Sequence, residues 1–183
     1  MSNSQYQRPA RIGRLVSTVA LLALLFASGP PARADAVTDC NEAEDASTRI
    51  RGCDIIIAEG AAPAVLAVAH MNRAIGYAAK GAFAKAIADL DAAIEIDPDL
   101  LAAHYNRGNV NLELGQAAEA ILDFSTVIEQ LPDFPLAWLN RGLAREHSGD
   151  REGAAVDYAK ALALDRTLAA ARRGLARVRP TRK

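Results

Sequence analysis

The chain has 183 residues, of which 51% are hydrophobic and 23% are charged, and its formal net charge is −1. Four of the 21 basic residues and none of the 22 acidic residues lie before Asp35, so the rest of the chain has 17 basic residues and a net charge of about −5. This balance is ordinary for a soluble domain and argues against nucleic acid as a general partner.

The first 34 residues predict a secretory signal peptide. Arginines without acids precede an apolar run over residues 15–27, and the small-residue site Ala32-Arg33-Ala34 follows Pro30-Pro31. This order is typical of a signal peptide cleaved after Ala34. A retained anchor is the alternative, but the run of 13 residues is shorter than the roughly 20 that a spanning helix needs. We therefore expect export to the periplasm, with no stable membrane insertion after cleavage.

Cys40 and Cys53 are the two cysteines of the exported part. In an oxidising compartment paired cysteines usually form a disulfide, which would stabilise the fold by roughly 3 kcal/mol. A metal site would need further ligands, which do not cluster there, and a redox pair usually has two intervening residues. The sequence favours the disulfide.

From residue 67 the sequence repeats with a period of 34 residues. Each copy predicts a helical hairpin: in the first, apolar residues recur at helical spacing over 67–79, Gly81 ends that helix, and a second amphipathic helix follows over 84–96. A single hairpin cannot bury its apolar stripe, so neighbouring hairpins must stack. The repeating columns are Asn72/Asn106/Asn140, Arg73/Arg107/Arg141, Gly81/Gly115/Gly149, Ala86/Ala120/Ala154, Asp89/Asp123/Asp157 and Leu90/Phe124/Tyr158.

The pattern resembles the tetratricopeptide repeat family, whose signature of an aromatic residue, Gly, Ala, a second aromatic and Pro recurs here. The third copy matches it with Trp138, Gly142, Ala154 and Tyr158; His70 and His104 replace the first aromatic in the other copies. The resemblance implies an all-α fold, an α-solenoid of stacked helical hairpins with three full repeats. The predicted segments are a signal peptide (1–34), a degenerate N-terminal repeat (35–66), repeats at 67–100, 101–134 and 135–168, a capping helix (169–179) and a basic tail (180–183).

The two ends of the array predict caps. Residues 47–59 align with the second helix of the first repeat at an offset of 37, which places Cys53 at a core position and Cys40 on a stunted first helix. The disulfide would then staple this cap. Near the other end, residues 173–177 copy residues 141–145, so a first helix without a second is expected there.

In tetratricopeptide arrays the first helices line a concave groove, and the resemblance implies that this groove binds a protein or peptide partner. The aligned asparagines could bond a peptide backbone or instead tie neighbouring helices together, and both interpretations stay open. Cations that hold a peptide carboxylate in some family members are absent at the matching positions Met71, Leu136 and Asn140, which favours a neutral segment. The predicted partner-binding residues are Met71, Asn72, Ile75, Tyr105, Asn106, Asn109, Leu139, Asn140 and Leu143.

Other polar columns have structural interpretations. Arg73 and Asp89, with their counterparts in the next two copies, predict an ion pair inside each hairpin. His70 and His104 lack a third metal ligand and are expected to pack in place of the aromatic. No nucleophile with its base and no phosphate-binding loop is evident, so we expect neither catalytic residues, nor a metal site, nor a cofactor.

The expected function is a non-catalytic scaffold in the cell envelope of a Gram-negative bacterium. The competing hypothesis is an adaptor subunit that docks through helix faces and the basic C-terminal segment, which has no acid after Asp165. Those cations could contact an acidic partner or an anionic membrane face, or simply favour the dipole of a terminal helix. A hydrolase would need a site that the sequence does not reveal.

Overall fold

The computed structural model describes residues 31–178, which form nine α-helices and no strand. The all-α prediction is therefore confirmed. In chain order the helices are α1 (Pro31–Glu42), α2 (Ala46–Ala58), α3 (Pro63–Ala79), α4 (Phe83–Ile96), α5 (Leu101–Glu113), α6 (Ala117–Gln130), α7 (Pro135–Ser148), α8 (Arg151–Leu164) and α9 (Ala169–Val178).

The helices form four hairpins and a single last helix. Each odd-numbered helix from α1 to α7 packs on the helix that follows it. Each of α2, α4 and α6 packs on the first helix of the next hairpin, and α8 packs on α9. The odd-numbered helices also contact one another from hairpin to hairpin, so they line the inner, concave side of a solenoid.

Left-handed glycines make the turn inside each full repeat. Gly81, Gly115 and Gly149 have φ angles of 72°, 74° and 88°, a conformation that residues with a Cβ rarely adopt. The residue after each glycine donates its backbone N–H to a carbonyl in the last turn of the first helix, as from Ala82 to Tyr77 at 2.9 Å. These bonds end the helix as the repeated glycines predict.

Small residues let the two helices of a hairpin meet. Ala86, Ala120 and Ala154 are completely buried. A Cβ at Gly108 would lie 2.8 Å from the ring of Phe124, so only glycine fits at that crossing. On the second helix of each repeat, the large buried residues of the Leu90/Phe124/Tyr158 column fill the space between the two helices.

The N-terminal cap forms as a hairpin of α1 and α2. Cys40 and Cys53 are fully buried, and their sulfur atoms lie 2.13 Å apart, at disulfide distance. A Cβ at Gly52 would lie 2.7 Å from the carbonyl oxygen of Ala36, so this glycine allows the two helices to approach.

Two expected boundaries fall inside helices. The sequence predicts that the first repeat begins at residue 67, but α3 begins at Pro63, because proline is well suited to the first position of a helix. Likewise α1 begins at Pro31, so the expected cleavage site after Ala34 lies within it. Residues 1–30 and the basic tail at 180–183 lie outside the described residues.

None of the helices described is both long enough and apolar enough to span a bilayer.

Candidate functional site

Each full repeat contains the predicted ion pair between its two helices. Arg73 donates to both carboxylate oxygens of Asp89, at 2.8 and 2.6 Å. Arg107 contacts Asp123 and Arg141 contacts Asp157 in the same way. The prediction of one internal pair in each repeat is confirmed.

The same arginines also bond to the preceding hairpin, a contact that the repeat pattern does not predict. Nη1 of Arg73, which does not bond to Asp89, donates to Asp54 at 2.7 Å. Nη1 of Arg107 donates to Asp91 at 2.7 Å in the same way. In the third repeat Arg141 meets Ser125 instead, at 3.1 Å. The alignment at an offset of 37 already placed Asp54 and Asp91 in one column.

In Arg73 and Arg107 all three guanidinium nitrogens donate to carboxylates. Hydrogen bonds to Asp89 and Asp123, the strongest influence, raise the pKa of Arg73 and Arg107 against the opposing effect of burial. Asp157, which has no exposed surface, forms ion pairs with both Arg141 and Arg145, at 2.8 and 2.9 Å. We conclude that this ladder of arginine contacts closes each full repeat and holds it to the preceding hairpin.

Two of the aligned asparagines bond to the preceding hairpin. Asn72 donates to the side-chain oxygen of Asn41 at 2.9 Å, and Asn140 donates to that of Asn109 at 2.8 Å. Both pairs are separated by 31 residues. Asn106 has Ile75 at the corresponding place, so it lacks this amide partner. Of the two interpretations left open, the structure shows the internal one for Asn72 and Asn140.

Burial narrows the predicted partner-binding set. All nine residues lie on the first helices, but four of them are at most 6% exposed: Met71, Asn72, Asn106 and Leu139. The five that keep accessible surface are Ile75, Tyr105, Asn109, Asn140 and Leu143.

A preorganised polar cluster lies at the middle of this surface. Asn140 donates to the hydroxyl of Tyr105 at 3.1 Å as well as to Asn109. The ring of Tyr105 packs against Phe124 and Phe134, with centroid distances of 5.8 and 5.2 Å. Burial raises the pKa of the phenol, and the neighbouring amides offset only part of that effect. The cluster is neutral and can both donate and accept hydrogen bonds.

His104 takes the place of the aromatic residue as expected. A ring nitrogen of His104 lies 3.1 Å from the carbonyl oxygen of Pro98, and the indole nitrogen of Trp138 donates to Pro132 at 2.9 Å in the next repeat. His70 and His104 also contact Asp89 and Asp123, at 3.0 and 3.3 Å. Within residues 31–178, no three His, Cys, Asp or Glu side chains group as metal ligands.

The capping helix α9 is held by a cluster that sequence reasoning missed. Arg177 donates to Glu146 through two nitrogens, and the hydroxyl of Tyr158 donates to the same carboxylate at 2.6 Å. Burial alone would raise the pKa of Glu146, but the bonds from Arg177 and Tyr158 outweigh it and lower that pKa. No sequence column signals this cluster, because it occurs once.

Part of the basic C-terminal segment is thus engaged within the fold. Arg177 binds Glu146, and Arg172 donates to the carbonyl oxygen of Arg166 at 2.7 Å. The cations at 179, 182 and 183 lie outside the described residues.

Stacked hairpins of two helices, held in register by a repeated ion pair and leaving a concave inner face, define the chain as a helical repeat solenoid. Two family models match it: "TPR repeat" over residues 77–115 and "Tetratricopeptide repeat" over residues 105–172. The chain is a tetratricopeptide repeat protein. Proteins with this repeat fold typically bind other proteins and do not catalyse reactions.

Solved structures share this fold. MamA from Desulfovibrio magneticus RS-1, residues 41 to the end, superposes with a TM-score of 0.73 at 20% identity, covering 82% of this chain and 84% of that one. The second TPR domain of human RPAP3, in complex with the HSP70 peptide SGPTIEEVD, has a TM-score of 0.62 at 23% identity, covering 66% and 100%. The first TPR of Spaghetti (RPAP3), bound to the HSP90 peptide SRMEEVD, has 0.60 at 23% identity, covering 61% and 89%. Among curated proteins, none matches the sequence.

Proposed function

We propose that this protein is a non-catalytic scaffold that binds a segment of a protein partner in its concave groove. The observation that carries the proposal is the cluster of Tyr105, Asn109 and Asn140, which is fixed by its own hydrogen bonds and by aromatic packing. A fixed aromatic ring supplies contact area at little entropic cost, and amides beside it can bond a peptide backbone.

Two solved TPR domains of RPAP3 are bound to the HSP90 peptide SRMEEVD and the HSP70 peptide SGPTIEEVD, and both peptide sequences end in Glu-Glu-Val-Asp. This chain has Met71, Leu136 and Asn140 where some family members place groove cations, and Met71 is buried. A neutral groove with Ile75 and Leu143 at its margins suits an uncharged, partly apolar segment better.

The proposed place of action is the bacterial periplasm, after cleavage behind Ala34. The support is the signal-like sequence together with the buried pair Cys40 and Cys53 at disulfide distance. Cleavage there would shorten α1 but keep its buried residues Ala36 and Cys40. N-terminal sequencing of the protein from a periplasmic fraction tests this, and a product that begins at Met1 in the cytoplasmic fraction would contradict it.

The groove is tested by placing a bulky cation in it. The exported form is purified by affinity with its partners, which are quantified by mass spectrometry, from the wild type, Asn109→Arg and the control Leu122→Arg. Leu122 is 70% exposed on α6, outside the predicted groove set. We expect the main partner to be lost from Asn109→Arg and kept by the control. Asn109→Arg also loses the bond from Asn140, so circular dichroism must show that both variants are folded at the temperature of the purification.

The adaptor hypothesis predicts a different result. If docking depends on the basic end, deletion of residues 179–183 combined with Arg172→Gln removes the partner, while Asn109→Arg retains it. Arg172 is exposed and donates to the carbonyl oxygen of Arg166 in the preceding loop, so Arg172→Gln should disturb the fold little.

A further inference from the structure

A second concave feature lies at the junction between the cap and the first repeat, outside the groove. It is an open depression of about 430 Å³. None of the predicted groove residues lines it. Its walls come from α2, from the end of α3 and from the start of α4. The residues that line it include Ser47, Ile50, Arg51, Tyr77, Lys80 and Lys85.

Three cations converge on this depression without an acid among the residues that line it. Lys80 donates to the hydroxyl of Ser47 at 2.9 Å, and Arg51 donates to that of Thr48 at 3.0 Å. Lys85 lies 5.4 Å from the ring centroid of Tyr77. Over residues 31–178, none of these three cations takes part in an ion pair of the kind that engages the ladder arginines.

The carboxylate of Asp45, which interacts electrostatically with two of these cations, already accepts hydrogen bonds from another residue. Asp45 accepts from the backbone and the hydroxyl of Thr48, at 2.7 and 2.8 Å, as the N-cap of α2. Its field reaches Arg51 and Lys80 but does not neutralise all three cations. Like charges held together on a chain of net negative charge favour an anionic ligand.

The floor of the depression is apolar and is kept in place by a close helix approach. Ile50 and Tyr77 supply it. A Cβ at Gly76 would lie 2.8 Å from Ile50 and 3.1 Å from the carbonyl oxygen of Ala46, so glycine is what lets α2 settle against α3 here. The following repeats have Val110 and Ala144 in this column, so this junction differs from the later ones.

We propose that Arg51, Lys80 and Lys85 form a second binding site that takes an acidic peptide segment of a partner protein. The depression is larger than one inorganic anion fills and is open to the surface, so a chain can cross it. Side-chain carboxylates of the segment meet the cations while its methylene groups pack on Ile50 and Tyr77. This site does not depend on the groove of the proposed function.

Fluorescence anisotropy with a labelled pentaglutamate peptide tests the proposal on the exported, oxidised protein. The triple variant Arg51→Gln/Lys80→Gln/Lys85→Gln is compared with Lys160→Gln/Arg166→Gln/Arg172→Gln, which removes the same charge at the other end of the solenoid. We expect the first variant to weaken binding about tenfold or more and the second to leave it within about twofold. Added salt should weaken the wild-type binding.

Further ligands and variants test whether the site recognises an acidic peptide specifically. Pentaglutamine should not bind, and Asn109→Arg should bind pentaglutamate as the wild type does. Equal losses in both triple variants would overturn the proposal, since they would show unspecific charge attraction. Tighter binding of inorganic phosphate than of the peptide would overturn it in favour of a small-anion site. Circular dichroism verifies folding, and the single change Lys80→Gln, at an exposed residue, must weaken binding if the triple variant unfolds.

Discussion

Arg107 donates a 2.7 Å hydrogen bond to Asp91, and this contact joins one helical hairpin to the preceding one. The same guanidinium holds Asp123 of its own hairpin. One side chain therefore fixes both the closure of a repeat and its stacking on the neighbour, and the two contacts differ in burial.

Because the two aspartates differ in burial, removing each of them should lower the free energy of unfolding by a different amount. Asp123 has 3% of its side chain exposed, whereas Asp91 has 53% exposed. Asp123→Ala leaves Arg107 without its buried partner and should lower the free energy of unfolding by about 2–4 kcal/mol. Asp91→Ala should cost about 0–1 kcal/mol, because water replaces an exposed partner. Urea unfolding followed by circular dichroism measures both, and equal losses would contradict this account of the ladder.

Docking of α9 should depend on pH through Glu146. Its folded-state pKa lies below the ordinary value of 4.5, so the stabilisation is complete above about pH 4.5 and is lost as the pH falls through the lowered pKa. Glu146→Gln should cost roughly 1–2 kcal/mol at pH 7, where the charged bonds to Arg177 and Tyr158 are lost. The difference in Tm between variant and wild type should shrink at pH 3. A difference that stays constant with pH would exclude this role for the carboxylate.

The ring of Tyr158 leaves no room for a side chain at Gly174. A Cβ there would lie 2.6 Å from the ring, which is completely buried and cannot move aside. Gly174→Ala should therefore destabilise the protein by about 1–3 kcal/mol, although the change normally favours a helix. The double variant Gly174→Ala/Tyr158→Leu should lose less than the sum of the two single changes. Additive losses in thermal unfolding would show that the two residues do not interact.

The cap should depend on the pair Cys40 and Cys53. Replacing both by serine removes the constraint on α1 and should cost about 3 kcal/mol. Hydrogen exchange should rise in α1 and α2, and Asn72 should lose its bond to Asn41. A reducing agent should lower the Tm of the wild type toward that of the variant and leave the variant unchanged. No response of the wild type to reduction would contradict the stapling role.

The outcome for the predicted groove residues shows where sequence reasoning stops. Position in the repeat assigned Met71 and Tyr105 to the same column and hence to the same face. The structure buries Met71 and leaves Tyr105 accessible, since neighbours from other hairpins decide how much of each side chain is covered. Periodicity carries no information about those neighbours.

The fold could be predicted from the sequence because each repeat is determined by features that lie close together in the chain. A left-handed glycine, small residues at the crossing and an apolar stripe at helical spacing act within about 34 residues, and stacking follows from the need to bury that stripe. Only the tertiary structure decided which residue of the preceding hairpin each arginine bonds to. It also decided that Asn72 and Asn140 donate to the preceding hairpin and that Glu146 binds Arg177 of α9. Those contacts join residues that do not share a helix, so they depend on the angle and separation at which hairpins stack, and no single period encodes these.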